Sequence, residues 1–260
     1  MEIWAVANQK GGVGKTTTTI TLAGLLADRG EPTLVVDLDP HGSLTTYLGG
    51  DPDSDARSVY DLFSGTATGD DLVRQTPVGN LFLLPASTAL STLDRQLGAQ
   101  HGKGLVLKNA LRPLREGFAH VILDCPPMLG VLMVNALACC SELLIPVQTE
   151  FLALKGLERM LHTVRMIDRA RPGRLDCLVI PTMYDRRTRA SKQAMEYLRM
   201  HHGSCLWHAC IPVDTQFREA SRAGRPISQV APWSRGTRAY SELLSDLLRA
   251  RMDHGLAMTG

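Results

Sequence analysis

The chain has 260 residues, 44% of them hydrophobic and 21% charged, and a formal net charge of +2. This composition predicts a globular protein with a full hydrophobic core. The nearly neutral charge excludes nucleic-acid binding through a global field, so such binding needs a local patch. The six cysteines show no C-x-x-C spacing, which predicts reduced core thiols of a cytosolic protein and argues against a disulfide framework or a cysteine metal site.

Targeting signals are not apparent in the sequence. No apolar run approaches the ~18–20 residues that a membrane-spanning helix needs. A functional motif begins almost at Met1, so we expect no signal peptide and a cytoplasmic protein.

The chain begins with a strand, a glycine-rich turn and a helix. Residues 3–7 are apolar, as in a buried strand, and a helical apolar pattern follows the turn. Between them lies Gln9–Thr19, QKGGVGKTTTT, whose glycines allow backbone N–H groups to close around an anion at the helix N-terminus. Lys15 would reach the β- and γ-phosphates of a nucleotide, and the Thr16 hydroxyl would complete a Mg²⁺ shell.

Strands alternate with helices along the rest of the chain. Apolar runs predict strands at 33–37, 81–85, 120–124, 142–147, 176–181 and 205–212, and helical patterns predict helices at 59–63, 105–114, 131–140, 155–169, 189–201 and 237–252. This alternation is typical of an α/β fold with a mostly parallel twisted sheet and helices on both faces. No repeat or linker interrupts it, so we expect residues 1–260 to form a single domain.

Three aspartates stand at the ends of predicted strands. Asp37 and Asp39 end the second strand, and Asp124 ends the strand at 120–124. A single aspartate there is most often a turn or cap residue, but ligands of such sheets bind beyond the carboxyl ends of the strands. Three acids in one sheet with a phosphate loop therefore favour a catalytic site. Asp124 has the position of a Walker B acid, which holds Mg²⁺ through water.

The glycine-rich loop departs from the pattern G-x-x-x-x-G-K-[ST]. Gln9 stands at the place of the first glycine, and Lys10 adds a second lysine. In this form, Lys10-Gly11-Gly12-Val13-Gly14-Lys15-Thr16, the loop resembles the deviant Walker A motif of the ParA/MinD-type P-loop ATPases. The resemblance implies a slow, partner-stimulated ATPase that uses ATP and Mg²⁺. It also implies an ATP-sandwich homodimer in which Lys10 reaches the phosphates of the other subunit.

The same resemblance implies roles for the strand-end residues. Asp37–Gly42, DLDPHG, is similar to the family's D-x-D-P-Q-G, in which the first acid lies near the metal and the second orients or activates the attacking water. His41 replaces the usual Gln, and a general-base role for His41 stays open. The expected catalytic residues are Lys10, Lys15 and Asp39, the metal residues Thr16, Asp37 and Asp124, and the nucleotide-binding residues Gly11, Gly12, Val13, Gly14, Lys15, Thr16 and Thr17, with Met183 and Pro212 at the adenine.

The resemblance covers essentially the whole chain. Pro146–Phe151, PVQTEF, matches P-V-Q-x-E-[FY], and Glu219–Ser221 lies where E-A-P is common. The sequence is most similar to the short, chromosomal ParA/Soj type. Asp39–Thr45 and Ile211–Thr215 also resemble the ParC-type members encoded with chemotaxis genes. Two cargoes therefore stay open, a chromosome or plasmid partition complex and a chemotaxis array, with a ParB-like protein or a chemotaxis adaptor as the stimulating partner.

Basic residues recur in the second half of the chain without aromatic interleaving, which suits phosphate contact and not base readout. A solvated charged surface is the alternative. ParA-type dimers bind DNA non-specifically through arginines in this region. Arg187 matches one of these positions, and a second falls on Gln216, where Arg218 stands two residues on. We expect nucleoid association through Arg187, Arg189, Lys192, Arg218, Arg222 and Arg225.

Two alternatives lack DNA binding. A MinD-like regulator needs a C-terminal amphipathic membrane helix, but the tail at 253–260 is short and nearly uncharged, so we expect the leucines before it to pack in the core. Relatives of the nitrogenase iron protein need a cluster-binding cysteine. Cys125 adjoins the predicted Walker B acid and Cys139-Cys140 falls in mid-helix, which argues against that class.

Overall fold

The computed structural model describes residues 1–54, 56–93, 103–169 and 173–257. The strands in this part of the chain are β1 (Glu2–Val6), β2 (Thr33–Asp37), β3 (Arg74–Gln75), β4 (Leu81–Leu84), β5 (His120–Asp124), β6 (Glu142–Gln148) and β7 (Asp176–Thr182). The α-helices are α1 (Lys15–Asp28), α2 (Ser43–Tyr47), α3 (Val59–Ser64), α4 (Val106–Leu111), α5 (Val131–Cys139), α6 (Phe151–Asp168), α7 (Arg189–His202), α8 (Gln216–Ala223), α9 (Ile227–Val230) and α10 (Arg235–Ala257), with 3₁₀ turns at Thr88–Thr92, Lys103–Leu105 and Pro113–Glu116.

The described strands form one sheet in the order β3-β4-β2-β5-β1-β6-β7. Only the β3–β4 pair in this sheet is antiparallel. The carboxyl ends of β1, β2 and β5 meet, so that Val6 pairs with Asp124, and Asp124 pairs with Asp37. The predicted mostly parallel α/β sheet is confirmed. A single domain over residues 1–260 stays a prediction.

Two hydrophobic cores cover the two faces of the sheet. Ala5 and Ala7 face the core that contains side chains of α5 and α6, whereas Trp4 and Val6 face the core built with α1 and α10. β2 and β5 are buried along their whole length. Burial on both faces explains why these strands read as continuous apolar runs in the sequence.

The leucines of α10 pack as expected. Leu243, Leu244 and Leu247 are buried in the core with α1, and Leu248 packs against the same cluster. In the described part of the chain, no helix has both the length and the apolar character that a membrane crossing requires. α10 extends beyond its predicted end at Met252, and residues 258–260 of the tail lie outside the described residues.

The prediction of a last strand over residues 205–212 is wrong. A parallel ladder does start beside β7, since Val179 N–H donates to Cys205 O at 2.7 Å and Trp207 N–H donates to Val179 O at 2.9 Å. The next rung would need an N–H from Pro181, which proline lacks. The chain therefore loops out and returns at Ile211, whose N–H donates to Pro181 O at 2.8 Å.

Smaller differences concern short elements and helix ends. Neither the two-residue β3 nor the short helices α2, α8 and α9 were predicted, because these segments carry too few apolar residues to show a periodic pattern. α6 begins at Phe151 and not at Lys155. Cys139 ends α5 and Cys140 lies just beyond it, so the mid-helix placement of this pair is wrong.

Candidate nucleotide-binding site

The loop between β1 and α1 is shaped by its glycines. Gly12 has φ +74° and Gly14, the N-cap residue of α1, has φ +92°, in the left-handed region that favours glycine. A Cβ built at Gly11, Gly12 or Gly14 would meet no atom within 4 Å. These glycines therefore serve the backbone path and leave open space above the helix N-terminus, where an anion is favoured.

Two adjoining cavities form one elongated site above the loop. The first, of about 490 Å³, is lined by the loop glycines with Lys15, Thr16 and Asp39. The second, of about 560 Å³, is lined by Met183 and Pro212 among others. Further residues line both cavities, namely Gly14, Thr17, Met183, Phe217 and Ser221. We expect a nucleotide to place its phosphates in the first cavity, here called the phosphate cavity, and its base in the second, here called the base cavity.

Asp37 and Asp124 form a buried acidic pair beside the first cavity. Their side chains are 0% and 1% exposed, and the two residues pair in the β2–β5 register. The Thr16 hydroxyl donates to Asp124 Oδ2 at 2.6 Å, and the Thr45 N–H and hydroxyl donate to Asp37 Oδ2 at 2.8 and 2.7 Å. The structure thus brings the three predicted metal residues together.

The electrostatics of Asp37 and Asp124 favour the binding of a cation. Burial raises the pKa of Asp124, and the charge of Asp37 raises it further, while the Thr16 hydrogen bond and the Lys15 charge lower it. Burial also raises the pKa of Asp37. Two buried carboxylates are costly when both are ionised. The donor set of carboxylate and hydroxyl oxygens fits Mg²⁺, which would relieve that cost.

Asp39 lies at the rim of the same cavity, beside His41. Asp39 Oδ1 accepts from the His41 N–H at 3.0 Å and lies 2.8 Å from His41 Nδ1. The Asp39 side chain is 15% exposed and that of His41 80% exposed. The carboxylate therefore faces both the cavity and an imidazole in solvent, and its assigned role toward the attacking water stays a prediction.

The two loop lysines point in different directions. Lys15 is buried, lines the phosphate cavity and donates to Lys10 O at 3.5 Å. The Lys10 ammonium instead forms an ion pair with Glu150, the residue just before α6. A Cβ at Gly156 would lie 3.2 Å from Lys10 Cβ, so any larger residue there would require α6 or the loop to shift by a few tenths of an ångström.

The base end of the site includes residues that the sequence did not single out. Phe217 and Tyr240 line the second cavity, and the Tyr240 hydroxyl lies 2.8 Å from Thr18 Oγ1. Met183 has φ +52°, and the neighbouring Thr182 hydroxyl donates to Val13 O at 2.9 Å, which ties β7 to the loop. Phe217 and Tyr240 come from α8 and α10, far away in the chain, and no local spacing could have placed them here.

The basic residues do not form one patch. Arg187 lines a cleft of about 440 Å³ with Arg235, whereas Arg218 lines the base cavity. Arg222 and Arg225 line a third cavity, next to α2. Arg189 and Lys192 are exposed in the first turn of α7. The predicted DNA-binding residues therefore lie in four places: the Arg187 cleft, the base cavity, the cavity next to α2 and the first turn of α7.

Comparison with known proteins places this site in a family. The profile of a family described as an AAA domain matches residues 1–176. The chain is 38% identical to the chromosome-partitioning ATPase Soj of Treponema pallidum, over 93% of this chain and 94% of that protein. It is 36% identical to the sporulation initiation inhibitor protein Soj of Bacillus subtilis, over 95% and 98%. It is 35% identical to the chromosome partitioning protein ParA of Caulobacter vibrioides, over 97% and 96%.

Solved structures share the fold over nearly the same length. The cobyrinic acid a,c-diamide synthase from Mycobacterium smegmatis, bound to ADP and magnesium, is 33% identical, with 95% of this chain and 94% of that chain covered and a TM-score of 0.82. A complex of Cyanothece McdA with ATP is 25% identical, with 94% and 96% covered and a TM-score of 0.84. On these matches, and on the loop geometry above, the chain belongs to the ParA/Soj family of P-loop ATPases.

Proposed function

We propose that this ATPase is an ATP-dependent dimer switch that binds DNA without sequence preference and partitions a cargo over the nucleoid. The protein hydrolyses ATP with Mg²⁺. The observation that supports the switch is the different direction of the two loop lysines: Lys15 lines the phosphate cavity, whereas Lys10 turns to Glu150. Lys10 does not line the phosphate cavity of its own chain, which suits a residue that acts on a second copy.

The surface around Lys10 favours a second copy as its partner. Met128 and Phe151 are 71% and 70% exposed, and their neighbours Leu129 and Leu152 are exposed as well. These apolar side chains follow β5 and β6, the strands on either side of β1, so they lie at the same end of the sheet as the phosphate loop. Such an exposed apolar group is typical of an interface, and a dimer related by two-fold symmetry would cover it on both copies.

The chemistry proposed for the site is phosphoryl transfer to water. Lys15 and the loop N–H groups would bind the phosphate oxygens and stabilise the charge that spreads over them in the transition state. Asp39, at the rim of the cavity, would orient the attacking water and accept its proton. Thr16, Asp37 and Asp124 would hold Mg²⁺, which supplies further neutralisation of phosphate charge when bound.

The proposed cargo is a chromosome or plasmid partition complex, with a ParB-like protein as the stimulating partner. The names of the Soj and ParA relatives support this cargo over a chemotaxis array, and those proteins match this chain over nearly their whole length. The DNA contact would come from the exposed basic residues around the base end, which the ATP-bound dimer would present in two copies.

DNA binding by the Asp39→Ala protein tests this proposal. The variant should bind ATP without hydrolysing it, so the dimer should persist, and it should bind duplex DNA with ATP but not with ADP. Binding should weaken with salt and with Arg187→Glu, because phosphate contacts release counterions. No binding with ATP at low salt would contradict the DNA function, and a monomeric Asp39→Ala protein with ATP would contradict the switch.

A further inference from the structure

A cleft beside the base cavity holds both charge signs. It has a volume of about 440 Å³ and lies between the turn after β7 and the loop before α8. Arg186, Arg187 and Arg235 line it, together with Asp185 and Asp214. Asp214 stabilises two helix starts, because its carboxylate accepts hydrogen bonds from the backbone N–H groups of Gln216 in α8 and Gly236 in α10. Asp185 instead faces an arginine.

Asp185 binds Arg187 in a bidentate way. Its Oδ1 accepts from Arg187 Nε at 2.9 Å and from the Arg187 backbone N–H at 2.9 Å, and its Oδ2 accepts from Arg187 Nη2 at 2.8 Å. These bonds hold the pKa of Asp185 at about 2, well below the usual aspartate range. The guanidinium N–H groups of Arg187 that could bind a phosphate therefore already donate to a carboxylate of the same turn.

Arg235 lines the same cleft from a different element. It begins α10, its Nη2 lies 3.5 Å from Val213 O, and its charge contributes to the low pKa of Asp185. Val213 also lines the base cavity, so the cleft and the base cavity adjoin. Arg187 and Arg235, which come from separate elements, thus line one cleft together with the partly exposed carboxylate of Asp185, next to the base cavity.

We propose that this cleft seats a backbone phosphate of duplex DNA between Arg187 and Arg235, and that Asp185 is the internal competitor which the phosphate must displace. The proposal deepens the proposed DNA function and rests on it. A backbone phosphate has two non-bridging acceptor oxygens, as a carboxylate has two oxygens, so it can take over the bonds to Arg187. Arg235 is an additional phosphate-binding residue in this proposal. Asp185, by competing for Arg187, lowers the affinity of each cleft for phosphate.

This competition fits a protein that needs two copies to hold DNA. An acid that occupies the arginine lowers the affinity of each protomer, and stable binding then requires both clefts of a dimer at once. Without Asp185, a single protomer would bind DNA more tightly, and the difference between the monomeric and dimeric states would shrink. Asp185 would therefore sharpen the dependence of DNA binding on ATP.

The test compares Asp185→Asn with a matched variant, Asp70→Asn, in the full chain with a non-hydrolysable ATP analogue and with ADP. Both variants remove one negative charge, but Asp70 is an exposed residue of the turn before β3. Because an exposed ion pair contributes little, Asp185→Asn should tighten binding of a duplex of random sequence by roughly two- to fivefold per protomer. Asp70→Asn should leave the affinity unchanged.

The arginines give a second readout. Arg235→Gln should lower the slope of log affinity against log salt by about 0.9 per protomer, as the loss of one phosphate contact does. In an Arg187→Gln background the gain in DNA affinity from Asp185→Asn should shrink, because Asp185 then has no guanidinium for which to compete. An equal gain in the wild-type and Arg187→Gln backgrounds would contradict the displacement of Asp185 by phosphate. A loss of DNA affinity in Asp185→Asn would contradict it as well.

Wild-type binding separates this proposal from the proposed function. If wild-type protein binds no DNA with the ATP analogue, the DNA function fails before the cleft is tested. If wild type binds and neither Asp185→Asn nor Arg235→Gln changes the affinity or the slope, the cleft proposal alone fails. Binding of phosphatidylglycerol vesicles with the same dependence on Arg235, and no binding of DNA, would assign the cleft to lipid phosphate and overturn the proposal.

Discussion

The phosphate end of the site and the basic surface around its base end are built in opposite ways. At the phosphate end, Lys15, Asp37 and Asp124 are buried, and hydroxyls from other elements fix the two carboxylates. On the basic surface, Arg187 and Arg222 are exposed, and the ion-pair partner of Arg187 comes from its own turn. The first region acts through fixed positions and the second through accessible charge.

This difference teaches where single substitutions should be severe. When a buried polar group is removed, water cannot take its place. The neighbouring buried charges then lose their hydrogen-bond or ion-pair partner, and the site loses its fixed arrangement. An exposed arginine acts through an interaction that salt screens, and its neighbours can share the task. We expect losses of activity of several orders of magnitude at the phosphate end and graded changes of affinity on the basic surface.

Lys15→Ala should have the largest effect. Lys15 is the buried cation of the phosphate cavity and also offsets the charge of Asp124. Its loss should abolish nucleotide binding and lower ATP hydrolysis by at least about 10³-fold. Equilibrium binding of a fluorescent ATP analogue measures the first effect and phosphate release the second. Wild-type affinity in this variant would contradict the assigned phosphate site.

Lys10→Ala should lower turnover by roughly 10²-fold while ATP binding by the monomer remains near the wild-type value. The reason is that Lys10 is paired with Glu150 within its own chain and is proposed to act on the other copy. Mixing Lys10→Ala protein with Asp39→Ala protein provides the control. A mixed dimer should recover activity at one of its two sites only if Lys10 acts in trans, and full activity of Lys10→Ala alone would remove the cross-subunit role.

Asp124→Asn should separate stability from function. In the absence of nucleotide and metal, the raised pKa of Asp124 means that the folded protein holds a proton that the unfolded chain releases, so stability falls as pH rises above the ordinary aspartate range. The asparagine variant avoids this loss. Its Tm should exceed that of wild type by about 2–5 °C at pH 8, and the gain should vanish near pH 4. Its Mg²⁺ affinity should fall by about 10- to 100-fold, and an unchanged Mg²⁺ dependence of hydrolysis would remove Asp124 from the metal site.

The phosphate end was largely predictable from the sequence, and the reason is local. The loop, Asp37 and Asp124 each follow an apolar strand, and parallel strands bring their carboxyl ends together without further information. The structure places Thr16, Asp37 and Asp124 in one cluster, as that rule requires. Their functional roles stay predictions.

The base end and the Lys10 contact could not be predicted, because they depend on packing between distant elements. Phe217 and Tyr240 meet the loop only because α8 and α10 fold back over α1. The partner of Lys10 lies 140 residues away, at the start of α6. The missing last strand shows a third limit, since its apolar pattern was correct and only the absent N–H of Pro181 breaks the ladder.

Arg222→Gln should have the smallest effect. Arg222 lies next to α2, away from the Arg187 cleft, and its exposed side chain makes it one of several phosphate contacts. The slope of log affinity for DNA against log salt should fall by about 0.9 per protomer, with ATPase activity and Tm unchanged. Arg115→Gln is the matched control, because Arg115 is an exposed residue that precedes β5 and so lies toward the opposite end of the sheet. An equal change of slope in both variants would mean that DNA senses the overall charge of the protein, and the placement of the basic residues in separate groups would then have no bearing on binding.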